Sequence, residues 1–425
     1  MNSQNWSISA LNVKRINKHA VLDLIRFTAG GISRVEISRQ LGLTRAAVSG
    51  IVNDLLAAGI ILETEHLLSH SGRPAIVLEI NPSRGYVIGI DFGASHINLL
   101  LADTAARILD EIEVDFDIRA GPQAGIAEAD RLVREILSRA NLNIEDILAI
   151  GMGVPGPIVT ATGTVVAPPI MPGWDGYPIR DNLQTLWKVP VSINNDAELG
   201  ALGEWAAGAG RGEQTLAYIK VGTGIGAGLL LDGQIYRGVT GSAGEIGHLT
   251  IDENGPLCAC GNHGCLEAIA GGRAIALQAQ EAVRNKQRTQ LASIQPVESI
   301  TARDVAAAAR RGDLLAQQIL ARAGTHIGIA IAGMVNLFNP ALVIIGGGVA
   351  QTGDILLEPI RQAVQRRSLP AATRVVRITT AMLGRRSSSM GAVIQALTIA
   401  LHQIADRKEV RLPQATRAKS LETVV

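Results

Sequence analysis

The sequence predicts an α/β protein: a two-lobed, internally duplicated body preceded by a winged helix-turn-helix module. Three observations carry this. The first eighty residues show helical periodicity and one hairpin, whereas from residue 83 the chain alternates apolar strands, glycine turns and helices. Within that stretch, residues 88–103, IGIDFGASHINLLLAD, resemble residues 217–232, AYIKVGTGIGAGLLLD. Each reads as strand, glycine turn, strand and an acidic residue, and two such units predict one copy per lobe with a cleft between them.

The composition suits such a body. Of 425 residues, 47% are hydrophobic and only 3% aromatic, so the cores are built from Ala, Val, Ile and Leu. The first thirty residues lack an apolar signal region and a small-residue cleavage site. The longest apolar stretch, IGIAIAGMVNLF at 327–338, falls short of the ~20 residues of a membrane span. The chain is therefore expected to be cytoplasmic, with no membrane partner. A net charge of +1 says nothing about partners, but its distribution does. Residues 1–50 carry Lys14, Arg15, Lys18, Arg26, Arg34, Arg39 and Arg45 against Asp23 and Glu36, an excess that points to a polyanion.

In the N-terminal module (1–82), residues 12–28 space Val13, Ile16, Ala20, Leu24 and Phe27 as one helix face. Ser33 and Glu36 have capping-box spacing and start a second helix over 34–40. Gly42 turns the chain, and a third helix runs from Thr44 to Ala58, burying Val48, Ile51, Val52, Leu55 and Leu56. IILETEHL and AIVLEI then form a hairpin with SHSGRP at its tip. The order matches a winged helix-turn-helix. Thr44, Arg45, Ala47 and Ser49, at the start of the third helix, suit a DNA major groove, and Arg73 at the wing tip suits a phosphate or a narrow minor groove.

In the body, the two related glycine turns can bring backbone N–H groups against phosphates. A third, Gly346-Gly347-Gly348, follows the buried strand ALVII and either supports a nucleotide base or simply turns the chain. Asn195 and Asp196 end the strand VPVSI before a helix. An Asp there can act as a general base, but local sequence favours a helix N-cap. All three cysteines lie in CACGNHGC, residues 258–265. An odd number in a reducing compartment argues against a disulfide framework. With His248 the spacing is H-x9-C-x-C-x4-C, and His248, Cys258, Cys260 and Cys265 make a complete tetrahedral set for a structural Zn²⁺. His263 is a rival ligand by spacing. Glu245 and Glu267 flank this loop, placed to meet sugar hydroxyls or simply solvated.

These motifs resemble the ROK family, named for repressors, open reading frames and sugar kinases. The most specific is G-E-x-G-H … C-x-C-G-x-x-G-C-x-E, from Gly244 to Glu267. The NDA segment at 195–197, GVPGP at 153–157, VGTGIGAG at 221–228 and IIGGGVA at 344–350 also match. The resemblance implies an actin-like, hexokinase-like body of duplicated ribonuclease H-like lobes. It places a small lobe at 83–194, completed by a C-terminal helix near 386–402, a large lobe at 195–385 and a polar tail at 403–425. It implies zinc on His248, Cys258, Cys260 and Cys265, and sugar contacts from Asn195, Asp196, Glu245, His248 and Glu267. In kinase members the position of Asp196 is the general base. The nucleotide positions would be Asp91, Gly93, Ser95, Thr223, Gly224, Gly346 and Gly347. The first loop departs from the kinase pattern D-x-G-G-T-K, since Ala94 adds a Cβ and His96 replaces a cation, so ATP and Mg²⁺ are not expected. The N-terminal module is similar to the repressor branch. The implied protein is a homo-oligomeric repressor of carbohydrate-utilisation genes that binds operator DNA and is released by a monosaccharide. The alternative is an ATP-dependent sugar kinase, or a bifunctional protein, with a regulatory N-terminal domain.

Overall fold

The computed structural model describes residues 10–66, 75–160, 162–166, 168 and 170–407. They form two compact units: one holds the N-terminal residues through Arg84 together with those from Thr398 onward, the other Gly85–Leu397.

In the first unit, α1 (Ala10–Phe27) leads into α2 (Arg34–Leu41) and α3 (Arg45–Ala57), followed by the antiparallel pair β1 (Ile61–His66) and β2 (Ala75–Ile80). Ile32 adds a bridge to Leu78. Ser33 caps α2, its Oγ accepting from Glu36 N. The expected reciprocal arm of the box is not made, because the Glu36 carboxylate accepts from Arg39 and Gln40 instead. Gly42, at φ 64°, ends α2 in a left-handed conformation that glycine adopts without strain. Thr44 is the N-cap of α3, its hydroxyl accepting from Ala47 N. Val48, Ile51, Val52 and Leu55 are buried as expected, whereas Leu56 is only half-buried.

The expected apolar face of α1 is corrected. Val13 and Ile16 are 44% and 55% exposed, and the buried residues are Val21, Leu22 and Ile25. Only the second half of α1 packs, so a periodicity drawn through the whole helix selects the wrong stripe. The wing tip, Arg73 included, lies outside the described residues.

The second unit holds two five-stranded sheets. The first has the order β5-β4-β3-β6-β9: β3 (Tyr86–Phe92), β4 (His96–Asp103), β5 (Ile108–Asp115), β6 (Ile147–Val154) and β9 (Val191–Asn195). Between these run α4 (Pro122–Arg139), the two-residue strands β7 (Ile158–Val159) and β8 (Thr164–Val165), and α5 (Ile179–Trp187). After α6 (Asp196–Ala207), the second sheet has the order β12-β11-β10-β13-β14: β10 (Leu216–Val221), β11 (Ile225–Leu231), β12 (Gln234–Ile235), β13 (Leu342–Gly346) and β14 (Arg377–Thr380). In both sheets three antiparallel strands come first in the chain, and two parallel strands extend the other edge. The predicted duplication is therefore topological, far beyond the sixteen residues that revealed it. Between β12 and β14 lie α7 (Leu266–Ala270), α8 (Gly272–Arg284), α9 (Ala302–Arg310), α10 (Leu314–Phe338), α11 (Asp354–Arg367) and α12 (Pro370–Thr373).

The apolar stretch at 327–338 is the second half of α10. This helix is long and apolar enough to cross a membrane by length and composition, but Ile319, Leu320, Ile327, Ile331 and Val335 are buried in the core of the second sheet.

The last helix, α13 (Ser387–Asp406), runs into the stretch read as a tail. Gly89 on β3 and Gly151 on β6 let its backbone approach the first sheet; a Cβ at Gly89 would stand 2.6 Å from Val393 N. Its last turns, in the first unit, bond to α1. Lys18 Nζ donates to Ala405 O at 2.9 Å, Arg26 Nη1 donates to Thr398 Oγ1 at 2.7 Å, and His402 Nε2 lies 3.0 Å from Asp23 Oδ1. Burial outweighs the neighbouring Asp23 and pulls the Arg26 guanidinium down to about 10.

Glu204, on α6, secures the entry to α13. It is fully buried, and its carboxylate accepts from Ala209 N (2.8 Å), Met382 N (3.1 Å), Leu383 N (2.9 Å) and Ser387 Oγ (2.7 Å). Glu204→Ala strands the three backbone donors, Ser387 Oγ having Gly384 O at 3.0 Å as another acceptor, and the expected loss is about 3–5 kcal/mol of stability, read from the urea midpoint. Glu204→Gln, which keeps an acceptor, should lose less.

Candidate functional site

The first surface is the start of α3. Thr44, Arg45 and Ala47 are exposed and Ser49 is half-buried, so the structure presents these residues together. Most of the positive excess read from sequence is used internally. Lys14 and Lys18 face Asp54, Arg26 is buried beside Asp23, Arg34 pairs with Glu63, and Arg39 pairs with Glu36. No ion pair is recorded for Arg45 among the described residues. Its guanidinium points a whole charge outward at a helix N-terminus, where the helix dipole already favours an anion.

The second site lies in the body. Asn195 ends β9 and caps α6: its Oδ1 accepts from Ala197 N and Glu198 N at 2.8 and 3.1 Å, and its Nδ2 donates to Gly156 O at 3.0 Å. The cap that local sequence assigned to Asp196 thus belongs to Asn195, and Asp196 is the first helical residue. One N–H of Asn195 is left for a ligand. Asp196 Oδ2 accepts from Lys220 Nζ at 2.9 Å. Glu245, after the Gly244 turn, is half-buried. Burial, then Asp196, Glu267 and Glu198, push its carboxyl up to about 7. These four acids therefore share one neighbourhood. Glu267, on α7, also accepts from Ile225 N at 3.0 Å, which ties the second glycine loop to the cysteine loop. Glu198 is buried against Arg237 Nε at 3.1 Å.

The ligand atoms of His248, Cys258, Cys260 and Cys265 all lie within 4.8 Å of one another. Cys258 Sγ is 3.7 Å from His248 Nδ1, and Cys260 Sγ is 3.7 Å from Cys265 Sγ. A tetrahedral zinc with Zn–S bonds of about 2.3 Å sets its sulfur atoms about 3.8 Å apart, so donor set and spacing fit that ion. His263 stands apart from the cluster, with Nδ1 3.3 Å from Gly255 O. Backbone bonds fold the loop back on itself: Cys258 N donates to Asn262 O at 2.7 Å, and Leu266 N to Leu249 O at 2.9 Å.

The phosphate-loop positions have other occupants. Asp91, buried at the end of β3, accepts from Lys220 Nζ at 3.1 and 3.2 Å and lies 3.4 Å from His96 Nε2. Burial alone would raise the Asp91 carboxyl, but Lys220 and His96 outweigh it and hold it low. The His96 ring covers Gly93, where a Cβ would stand 2.6 Å from its Cε1, and Gly93 N donates to His96 O at 2.9 Å. Ser95 and Thr223 are exposed. Gly224 lies under the Glu267 carboxylate, Gly346 under the Tyr218 hydroxyl and Gly347, at φ +85°, against the Val221 carbonyl. Of the two readings left open for Gly346 and Gly347, chain packing has a physical cause on view. In the loop at 167–178, Trp174 is fully buried, donates Nε1–H to Ile118 O at 3.1 Å and meets Phe92 edge-on. It serves the core.

Sequence reasoning missed Lys220. The signal was there: a lone lysine in the apolar strand LAYIKV, central in its sheet, requires a buried counter-charge.

Two five-stranded sheets of one topology, with the acidic cluster beside their glycine loops, define an actin-like, hexokinase-like body joined to a winged helix-turn-helix. The ROK family profile matches residues 87–399. The chain belongs to the ROK family. It is 32% identical to the xylose repressor of Caldicellulosiruptor bescii, over 91% of this chain and 96% of that one. It is 36% identical to the glucokinase of Halalkalibacterium halodurans, which covers 72% of this chain and is itself covered to 93%. Among solved structures, a ROK family transcriptional regulator described as a homologue of the Escherichia coli MLC protein superposes with a TM-score of 0.77 at 28% identity, covering 92% of this chain and 98% of that one.

Proposed function

We propose that this protein is a DNA-binding transcriptional repressor of carbohydrate-utilisation genes, released from its operator by a monosaccharide bound in the ROK cleft. One observation carries the reading: a helix-turn-helix unit with an exposed Arg45 is joined to a kinase-type body whose first phosphate loop is covered by its own His96. The relatives support it, since the xylose repressor matches 91% of this chain and the glucokinase only 72%.

In this reading Thr44, Arg45, Ala47 and Ser49 enter the major groove, with Arg73 on the neighbouring backbone. Thr44 contributes mainly by capping α3. A winged helix reads one half-site, so the binding species is a cytoplasmic homodimer. Asn195, Asp196, Glu245, His248 and Glu267 receive the sugar hydroxyls. Zinc on His248, Cys258, Cys260 and Cys265 fills all four positions and is structural. If His248 held the metal through Nδ1, the ring nitrogen that lies 3.7 Å from Cys258 Sγ, its Nε2 would keep the hydrogen and could donate it to a sugar, so one residue would serve both roles assigned to it. The lobes divide near residue 195, with α13 completing the first.

The reading is tested by titrating monosaccharides into a protein–operator complex. The effective sugar should lower operator affinity through a coupling of about 1–3 kcal/mol, and DNA must lower sugar affinity by the same factor. Asp196→Asn should retain operator binding and blunt the response. A sugar that binds tightly but leaves operator affinity unchanged or higher would sink derepression, and turnover of ATP with that sugar would favour a kinase.

Arg45→Ala should cost about 1–3 kcal/mol of operator affinity if Arg45 reads a base, measured by fluorescence anisotropy at fixed salt. Purified protein should carry one zinc per chain by elemental analysis. Cys260→Ser should lose it together with sugar binding, because the segment between Glu245 and Glu267 loses its brace. Sugar-competent, metal-free protein would contradict that.

A further inference from the structure

The ammonium of Lys220 sits between two carboxylates from different parts of the body. Nζ is 3.1 and 3.2 Å from the Asp91 oxygens, 2.9 Å from Asp196 Oδ2 and 3.2 Å from Ser388 Oγ. Asp91 comes from β3 in the first sheet, Asp196 from the first turn of α6, Lys220 from β10 in the second sheet and Ser388 from α13. Three ammonium hydrogens meet four acceptor atoms, so none is left over for a ligand. The side chains of Asp91, Asp196 and Lys220 are 2%, 14% and 14% exposed, so water cannot screen the two carboxylates from each other. Burying three charges costs more than burying apolar groups of the same size, so fold stability alone does not account for the arrangement. Two carboxylates converging at one point in a cleft are, in chemical terms, the oxygen ligands of a divalent cation.

We propose that Lys220 is a built-in cation: a positioning residue that stands where a divalent metal ion would bridge Asp91 and Asp196, and so presets the cleft for a sugar with no metal or nucleotide present. One oxygen of Asp196 is fixed on the ammonium, and the other is left to accept a sugar hydroxyl hydrogen bond in the neighbourhood of Glu245. With Lys220 spent on Asp91 and Asp196, and His96 beside Asp91, the acids Glu198, Glu245 and Glu267 still cluster beside Asp196. The cleft therefore takes a neutral sugar and disfavours its phosphate ester. This deepens the sugar-receptor reading and rests on it for the identity of the ligand, but the cation exchange itself needs no sugar.

The test is Lys220→Ala, which vacates the space between the carboxylates. Wild type and variant are titrated with Mn²⁺, following free Mn²⁺ by electron paramagnetic resonance and the melting temperature in parallel. No chelator is added, so any cysteine-bound metal is retained. The variant is expected to melt below wild type, to bind one more Mn²⁺ per chain than wild type and to regain several degrees with it, while wild type does not respond. Sugar binding should become Mn²⁺-dependent in the variant only. A variant that binds no more Mn²⁺ than wild type overturns the proposal. If Lys220→Ala does not fold, Lys220→Ala/Asp91→Asn, which removes the facing charge, should fold without metal, and its failure to do so equally overturns it. Neutral and 6-phosphorylated forms of the effective sugar are compared on wild type, and tighter binding of the phosphate would refute the charge argument. A wild type that binds no sugar while the variant gains Mn²⁺ would sink the receptor reading and leave the cation standing.

Discussion

One ammonium group draws the body of this protein together. Lys220 bonds to Asp91, Asp196 and Ser388, and these four residues belong to four different elements. Burial works against its charge, but Asp196 and then Asp91 outweigh it and hold Lys220 protonated far above the ordinary lysine range. Each of the three charges is costly to bury, and each lowers that cost for the other two. The two glycine loops, the start of α6 and the start of α13 are therefore positioned against one another by a single electrostatic requirement.

Glycine and a buried carboxylate do the corresponding work for α13. The helix lies against Gly89, Gly151 and Gly203, where any side chain would collide with its backbone. Glu204 collects the donors at its entry. The three consecutive serines at its start each have a defined acceptor or donor role: Ser387 on Glu204, Ser388 with Lys220 and Ser389 on Asn98. The start of α13 is thus fixed within the second unit by backbone contact and by its own serines.

In the helix-turn-helix unit, charge counting overstated the free basic surface. Lysines and arginines that made the N-terminal segment look basic are spent on Asp54, Glu63, Glu36 and Asp23. The exposed pairs, Arg39 with Glu36 and Lys14 with Asp54 among them, add little stability, but they cancel the field at short range. Arg45 keeps its charge because the first turn of α3 carries no acid of its own.

The sequence by itself determined whatever depends on near neighbours. Cys258, Cys260 and Cys265 sit within eight residues, so a short loop brings them together with little choice, and His248 is close enough to join. Gly42, Ser33 and Thr44 marked helix ends because caps are local, and the alternation of strand and glycine turn exposed the duplication because each copy repeats it. Tertiary structure decided the rest. The partners of Lys220 lie 129, 24 and 168 residues away, and no local pattern encodes which distant acid neutralises a buried lysine. Asn195 caps α6 while Asp196, the first helical residue, meets Lys220 across the sheets, and Gly346 leaves the room that Tyr218 fills. The reach of local sequence ends where a side chain's energy is set by groups that only the completed sheets bring within a few ångströms.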